Sequence, residues 1–298
     1  MLISFAFALA ITRATADSGI ENVLNKMAAI NSSQGLNVEQ RMSHMSDLYR
    51  SSVTSSMQDL AHQSNRDLHM LFTIEDMASS YSQFTHQQLH LTYLRDLQHT
   101  YDELDRRREA TEDEIQQLYR QLLGARLFDR AKKLYVAHYN IGLAAPPRIE
   151  IAPGFVRNEP AAYSLGRDGQ SLVLQNVDIG GPYRIVVVAQ CHIARDAANA
   201  IANDPQLSEG LRQGHVIWIE GSGEELTPIS LNEWNSSFPG KPLSIAYDND
   251  TWKGVDFSAS PQFFLFKNGV LVSELKGWSP KAGKQQLATW LRLGGVVH

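Results

Sequence analysis

The second half of the chain alternates short apolar runs with helical segments, and this alternation restricts the fold more than any other feature. Residues 184–189 (RIVVVA) form a continuous apolar run, which is typical of a strand buried on both faces of a sheet. A helix at 194–203, a strand at 215–220, a helix near 230–236 and an extended segment at 243–247 are predicted to follow. Strands that alternate with helices predict an α/β layered fold.

Two predicted hairpins flank this alternation. The first runs from Tyr163 to Leu174 around a turn at 166–169. The second joins strands at 262–266 and 270–275 through an Asn-Gly pair, which is a strong signal for a tight hairpin turn. A helix at 281–293 follows. We therefore expect a mixed sheet flanked by helices.

The first half of the chain has the pattern of helices. No proline occurs between Met1 and Ala145. Three capping-box patterns, which satisfy free N–H groups in the first helical turn, begin at Asn37, Thr85 and Thr111. Behind the second pattern, apolar residues repeat on one helical face, at Leu89, Tyr93, Leu97, Tyr101 and Leu104.

The last two predicted helices, within 112–139, are separated by Gly124, where we expect the first of them to end. The segment GARLFDRAKKLY resembles a single tetratricopeptide-type hairpin. No second copy is found, and fewer than three repeats do not form a solenoid. The alternative is an irregular helical bundle or a long antiparallel hairpin. In either case we expect this half to serve as a protein contact or dimerisation surface.

A change of composition at Ala144-Ala145-Pro146-Pro147 marks the boundary between the halves. The resulting division is a signal peptide at 1–16, a helical domain at 17–145, a linker at 146–159 and an α/β domain at 160–298.

The N-terminus has the pattern of a cleavable secretory signal. Residues 2–11 are apolar but too short to span a bilayer, and Ala14-Thr15-Ala16 forms a small-x-small cleavage site before Asp17. No Lys or Arg precedes the apolar run, and a buried N-terminal helix is the alternative. The signal predicts a periplasmic or secreted protein, with no integral membrane segment once it is removed.

Charge and histidine spacing exclude two classes of function. The formal net charge is −5, and the one basic triplet, Arg106–Arg108, is surrounded by Asp and Glu, as on a solvated helix face. We therefore expect no nucleic-acid partner. The spacings of His86, His90 and His99 do not match a shared metal site, so we expect neither a metal nor a cofactor.

The chain contains one cysteine, Cys191, at the junction between a predicted strand and a predicted helix. An exported protein lies where disulfides persist, yet this one cannot form an internal bridge. The thiol is therefore either buried and inert or reactive toward another molecule.

Three stretches of the second half resemble the thioredoxin superfamily: YSLGRDGQSLVLQNVDIGGPYRIVVVAQC, PLSIAYDND and SASPQFFLFKNGVLVSELKGW. The resemblance spans residues 160–293 and is closest to the periplasmic thiol–disulfide oxidoreductases. It implies a thioredoxin-like α/β domain, with Cys191-His192-Ile193-Ala194 at the position of the family's Cys-x-x-Cys motif. The second cysteine is replaced by Ala194, and the Trp that usually precedes the motif is replaced by Gln190.

The same resemblance implies a cis-proline at Ser260–Pro261, opposite the motif, where the backbone would pair with a client peptide. A trans-proline at the start of a strand is the alternative.

A thiol at a helix N-terminus is favoured as thiolate, and His192 adds a nearby group that can carry positive charge. Without a resolving thiol at Ala194, any mixed disulfide must be released by an external thiol. Two functions remain. One is a thiol–disulfide oxidoreductase or isomerase acting through a single cysteine on a protein client or a low-molecular-weight thiol. The other is a redox-inactive binding or scaffold module in an envelope or secretion assembly.

Overall fold

The computed structural model describes residues 19–83, 87–189, 192–212, 216–222 and 228–293. The predicted signal peptide, the predicted cap Thr85, and the residues Gln190 and Cys191 lie outside the described residues.

The N-terminal region is all helical, as predicted. Among the described residues, its α-helices are α1 (Gly19–Ser32), α2 (Val38–Ser52), α3 (Asn65–Ser82), α4 (Gln87–Arg107), α5 (Glu112–Gly124) and α6 (Phe128–Ala137). The capping boxes predicted at Asn37 and Thr111 are both present, with Gln40 and Glu114 as their partners. Each box satisfies N–H groups that have no partner within the first turn of the helix.

These helices form an irregular bundle around α3, which contacts α1, α2, α4 and α5. The predicted stripe on α4 faces the bundle core: Leu89 is half-buried, and the other members, Tyr93, Leu97, Tyr101 and Leu104, are buried. Apolar burial of this kind stabilises a helix more than its intrinsic propensity does.

The described residues of the C-terminal region form an eight-stranded sheet with strand order β1-β3-β2-β6-β5-β4-β7-β8. The strands are β1 (Arg148–Ile151), β2 (Ala161–Leu165), β3 (Ser171–Asn176), β4 (Arg184–Val188), β5 (Val216–Glu220), β6 (Leu243–Ala246), β7 (Gln262–Lys267) and β8 (Val270–Lys276). The described helices of this region are α7 (His192–Ala202), α8 (Pro205–Arg212), α9 (Pro228–Ser237) and α10 (Pro280–Leu293).

The sheet is mixed, because β4, β5 and β6 run parallel while β2–β3, β4–β7 and β7–β8 pair antiparallel. Both predicted hairpins are present. The turn of the second uses Asn268 and Gly269 with φ values of 50° and 76°, as a type I′ hairpin turn requires. The element order confirms the predicted fold class, an all-α region followed by a thioredoxin-like α/β region with a mixed sheet.

Strand β4 is apolar on both sides because it lies between two cores. Ile185 and Val187 pack in the core that contains α7 to α10, whereas Val186 and Val188 pack in a second core on the opposite face. The second core is closed by the loop between β6 and β7, which contributes Trp252 and other residues rather than a described α-helix. The sheet is therefore covered by helices on one face and by this loop on the other.

The segment expected to be a linker contains strand β1. Residues 148–151 pair in parallel with β3, as the edge strand of the sheet. Only four residues long and half charged, the strand has too weak an apolar pattern to be recognised in isolation. Its formation depends on β3, which is more than twenty residues away.

Two further local predictions differ from the structure. Helix α8 was not expected, although its Leu207 and Leu211 are buried in the core. Gly124 remains within α5, and the left-handed residue that follows the helix is Arg126, with φ 62°. A non-glycine residue holds this conformation only where its surroundings stabilise it.

Candidate functional site

Strands β4 and β7 bring the two predicted parts of the site together. The register pairs Val188 with Gln262, so the start of β7 lies beside the end of β4. The Ser260 hydroxyl donates a hydrogen bond of 3.4 Å to the Val188 carbonyl, three residues before Cys191 in sequence. The Ser260–Pro261 peptide bond is cis, as the resemblance implied, and the trans alternative is wrong.

Helix α7 begins at His192, directly after Cys191 in sequence. The side chain of His192 is exposed, and that of Ile193 is 40% exposed. Ala194 is completely buried in the core between the sheet and the helices. Position 194 therefore faces the interior, while His192 and Ile193 face solvent.

A cavity of about 230 Å³ opens beside the first turn of α7. It is lined by Ala189, His192, Arg195, Glu220, Ser230, Trp234 and Leu243. A cavity of this size can hold part of a small ligand or a peptide side chain, but it does not enclose a whole cofactor.

Arg195 supplies a positive charge at this cavity. Its guanidinium carbon lies 5.8 Å from the centre of the Trp234 ring, a distance typical of a cation–π contact. The ring is held in place, since the Trp234 indole N–H donates 2.8 Å to the Lys241 carbonyl and the ring packs against Trp218. No carboxylate of the described residues forms an ion pair with Arg195. Arg195 follows Cys191 by four residues in the sequence, whereas no sequence pattern pointed to Trp234.

Gln262 organises the loop that precedes the cis-proline. The residue is 1% exposed, and its side-chain amide donates to the carbonyls of Asp256 (3.1 Å) and Ala259 (3.2 Å). Its side-chain oxygen, also buried, has no hydrogen-bond partner within the part of the chain that is described. Sequence analysis missed this residue, and the available signal was a polar residue at the start of an otherwise apolar strand.

Asp256 adds a negative charge to the same loop. Burial by itself would raise the pKa of its carboxyl group, but hydrogen bonds from the backbone N–H and hydroxyl of Ser258 hold the pKa below its usual value. The loop that precedes the cis-proline therefore carries a charged carboxylate.

The polar residues buried in the helical region form no part of this site. His90 contacts Ser79, and Glu75 accepts a hydrogen bond from Thr100, both within the bundle. Among the described residues, no group of three or more His, Cys, Asp or Glu side chains is arranged to hold a metal ion. None of the helices that the structure describes combines the length and apolar character needed to cross a bilayer.

Comparison with known proteins adds one structural likeness. No family model matches the chain, and a search of curated proteins found no relative. A crystal structure of a thioredoxin-like protein from Bacteroides caccae matches 97% of this chain and 99% of its own, with 12% identity and a TM-score of 0.29. The assignment of the fold therefore rests on the order and pairing of the elements described above.

Proposed function

We propose that this chain is an exported thioredoxin-like protein that exchanges disulfides through the single thiol of Cys191. The observation that carries the proposal is the hydrogen bond from Ser260 to Val188, because it holds the loop before Pro261 against the strand that leads to Cys191. The cavity beside His192 and Arg195 also supports the proposal, because it leaves room for a substrate next to helix α7, which follows Cys191.

The helix that follows Cys191 favours the reactive form of the thiol. Unpaired N–H groups at a helix N-terminus carry partial positive charge, which stabilises a thiolate relative to a thiol. Since α7 begins at His192, these groups lie in the residues immediately after the cysteine.

The reaction is an exchange without net reduction. The Cys191 thiolate attacks a disulfide R–S–S–R′, a Cys191–S–S–R bond forms, and R′–S⁻ leaves with the electron pair of the broken S–S bond. A second thiolate, R″–S⁻, then attacks this mixed disulfide, which releases Cys191 as thiolate and leaves R–S–S–R″. The second thiol must come from another molecule, because Ala194 has no sulfur.

Arg195 favours substrates that carry a carboxylate near the reacting sulfur. Its guanidinium group is oriented by the Trp234 ring and lies at the cavity, so it can pair with the carboxylate of glutathione or of an acidic client peptide. Glu220, which also lines the cavity, would oppose a second negative group.

The test is incubation of the native protein with glutathione disulfide at neutral pH, followed by intact-mass measurement. We expect one glutathionyl adduct per chain within minutes, its removal by added reduced glutathione, and no adduct on Cys191→Ser. Arg195→Gln should slow adduct formation, while Arg292→Gln, at an exposed position in the last turn of α10 and outside the lining of the cavity, serves as the matched control. A thiol that reacts only after denaturation would overturn the proposal and leave the redox-inactive binding module as the function.

Export is the second part of the proposal and rests on the N-terminal sequence. N-terminal sequencing of the protein purified from its source should begin at Asp17, and a protein that retains residues 2–11 would contradict export by a cleaved signal.

A further inference from the structure

Strand β1 forms one edge of the sheet, with β3 as its strand neighbour in the described part of the chain. The Ala152 N–H donates 2.9 Å to the Leu174 carbonyl on β3. Because alternate residues of a strand direct their N–H and C=O groups to the same side, those of Ile149 and Ile151 are directed away from β3. The outer side of β1 thus offers backbone donors and acceptors at Ile149 and Ile151.

Exposed apolar residues occur on β1 and around the end of α6, the helix that lines a groove together with β1. Ile151 on β1 is 65% exposed, and Val136 and Tyr139, at the end of α6 and just beyond it, are 62% and 79% exposed. A groove of about 750 Å³ lies between α6 and the chain that enters β1, and its walls include Phe128, Tyr135, Val136, Pro146, Pro147 and Ile149. Exposed apolar residues beside an open strand edge mark a surface at which another chain can pair.

We propose that the occupant of this edge is a second copy of the same chain, paired antiparallel with β1 about a two-fold axis at Ile149. A two-fold axis perpendicular to the sheet keeps each side chain on its own face of the sheet. Directly opposed residues must also share a face, so the axis lies midway between two copies of the same residue. With the axis at Ile149, Arg148 lies opposite Glu150 of the second copy, and the reverse pair forms by symmetry. Axes at Arg148 or Glu150 would instead place like charges opposite each other.

The charged side chains of β1, Arg148 and Glu150, are exposed enough to pair with a second copy instead of within their own chain. Arg148 is 68% exposed and pairs within its own chain with Asp168 and, at 3.4 Å, with Glu150, which is 54% exposed. Ion pairs at such exposed positions are weak, so pairing with a second copy costs little. Directly opposed charges of opposite sign on neighbouring strands stabilise the pairing, whereas like charges oppose it.

The same register matches backbone and apolar groups. The N–H and C=O groups of Ile149 pair with those of Ile149 in the second copy, and Ile151 lies opposite Pro147, whose carbonyl can accept from the Ile151 N–H. Pro147 has no N–H to leave unpaired. The Ile151 side chain is on the same face as Ile149, which lines the groove. The exposed Ile151 of one copy therefore packs against the groove wall of the other.

The oligomeric state of the full chain tests the proposal, measured by light scattering after size exclusion or by sedimentation velocity. We expect a dimer for the unaltered protein. Arg148→Glu and Glu150→Arg, each alone, should shift it to monomer because they create like-charge pairs, and the double variant should restore the dimer. Ile151→Asp should also give monomer. Circular dichroism should confirm that each variant remains folded.

The opposite edge of the sheet provides the matched control. Strand β8 carries a similar exposed pair, Glu274 and Lys276, 3.6 Å apart. Glu274→Arg should leave the dimer intact. Any of three results would overturn the proposal. The unaltered protein could be a monomer, the dimer could survive both single charge reversals on β1, or the dimer could be lost only in Glu274→Arg.

Discussion

The guanidinium group of Arg126 lies over the ring of Tyr163, with its central carbon 5.5 Å from the ring centre. Arg126 follows α5 in the helical region, and Tyr163 is on β2 of the sheet. The same guanidinium donates 3.0 Å to the Leu123 carbonyl and 3.3 Å to the Ala246 carbonyl. Phe128, two residues later, meets the Tyr163 ring edge to face at 6.1 Å and packs against the cores of both regions. These contacts join the two halves.

Removal of this junction should uncouple the halves. Phe128→Ala removes apolar surface from both cores and should lower the free energy of unfolding by about 2 kcal/mol. When it is combined with Arg126→Ala, we expect the single calorimetric transition to separate into two, one for each region. Arg130→Ala, on the exposed face of α6, is the control and should keep one transition. A single transition in the double variant would mean that other contacts couple the regions.

Glu75 should make the helical region less stable at neutral pH. Its carboxyl is completely buried, one oxygen accepts 3.0 Å from Thr100, and the other has no partner among the described residues. Burial raises the pKa of this carboxyl well above its usual value. The hydrogen bond from Thr100 lowers the pKa and the nearby Asp96 charge raises it further, but burial is the largest effect. As pH rises past the pKa of an unfolded Glu, the unfolded chain loses a proton that the folded chain keeps, so stability falls by up to about 1.4 kcal/mol per pH unit.

Glu75→Gln should therefore raise stability at pH 7, and the gain should disappear as pH approaches 4. Chemical denaturation across this range measures it, with exposed Glu109→Gln as the control. A gain that is independent of pH would show that the carboxyl is not protonated in the fold.

His90 should have the opposite pH dependence. It is 4% exposed, contacts Ser79 through one ring nitrogen, and has no partner for the other among the described residues. Burial lowers its pKa to about 4, opposed by the hydrogen bond with the Ser79 carbonyl and reinforced by Arg126. Between about pH 6.5 and 4 the unfolded chain binds a proton that the folded chain does not, so stability should fall by up to about 2 kcal/mol from pH 7 to pH 5.

The variant His90→Gln removes this dependence, whatever its effect on stability at pH 7. Denaturation midpoints at pH 7 and pH 5 should converge relative to the unaltered protein, while His44→Gln, at an exposed position, should leave the difference unchanged. If the denaturation midpoint of His90→Gln shifts between pH 7 and pH 5 as much as that of the unaltered protein, groups other than His90 cause the loss of stability in acid.

Ala194→Cys should convert the proposed single-thiol exchange into dithiol chemistry. Position 194 is in the first turn of α7 and faces the core, so a sulfur there is shielded from solvent while remaining three residues from Cys191. We expect the variant to form an internal disulfide on oxidation and to reduce insulin in the presence of dithiothreitol. Ala197→Cys, one turn further along the buried face, is the control and should do neither. Two free thiols in oxidised Ala194→Cys would contradict the motif geometry.

The local part of this structure was predictable from the sequence. The caps at Asn37 and Thr111 and the Asn268-Gly269 turn depend on residues that are neighbours in the sequence. Strand β4, buried on both faces, depends on a continuous apolar run. Each of these sequence signals is therefore complete within a few positions. The cis peptide before Pro261 followed from a family resemblance rather than from local physics.

The tertiary structure alone decided which distant residues meet. Four contacts join segments that carry no shared sequence pattern. They are the pairing of β1 with β3, the stacking of Arg195 on Trp234, the contact between Arg126 and Tyr163, and the hydrogen bonds of buried Gln262 to the loop before Pro261. Such contacts form because folding buries apolar surface as a whole, and the polar groups carried inward must then find partners wherever the chain brings them. The sequence by itself therefore determined the elements and the presence of a single thiol, and the packing decided what surrounds them.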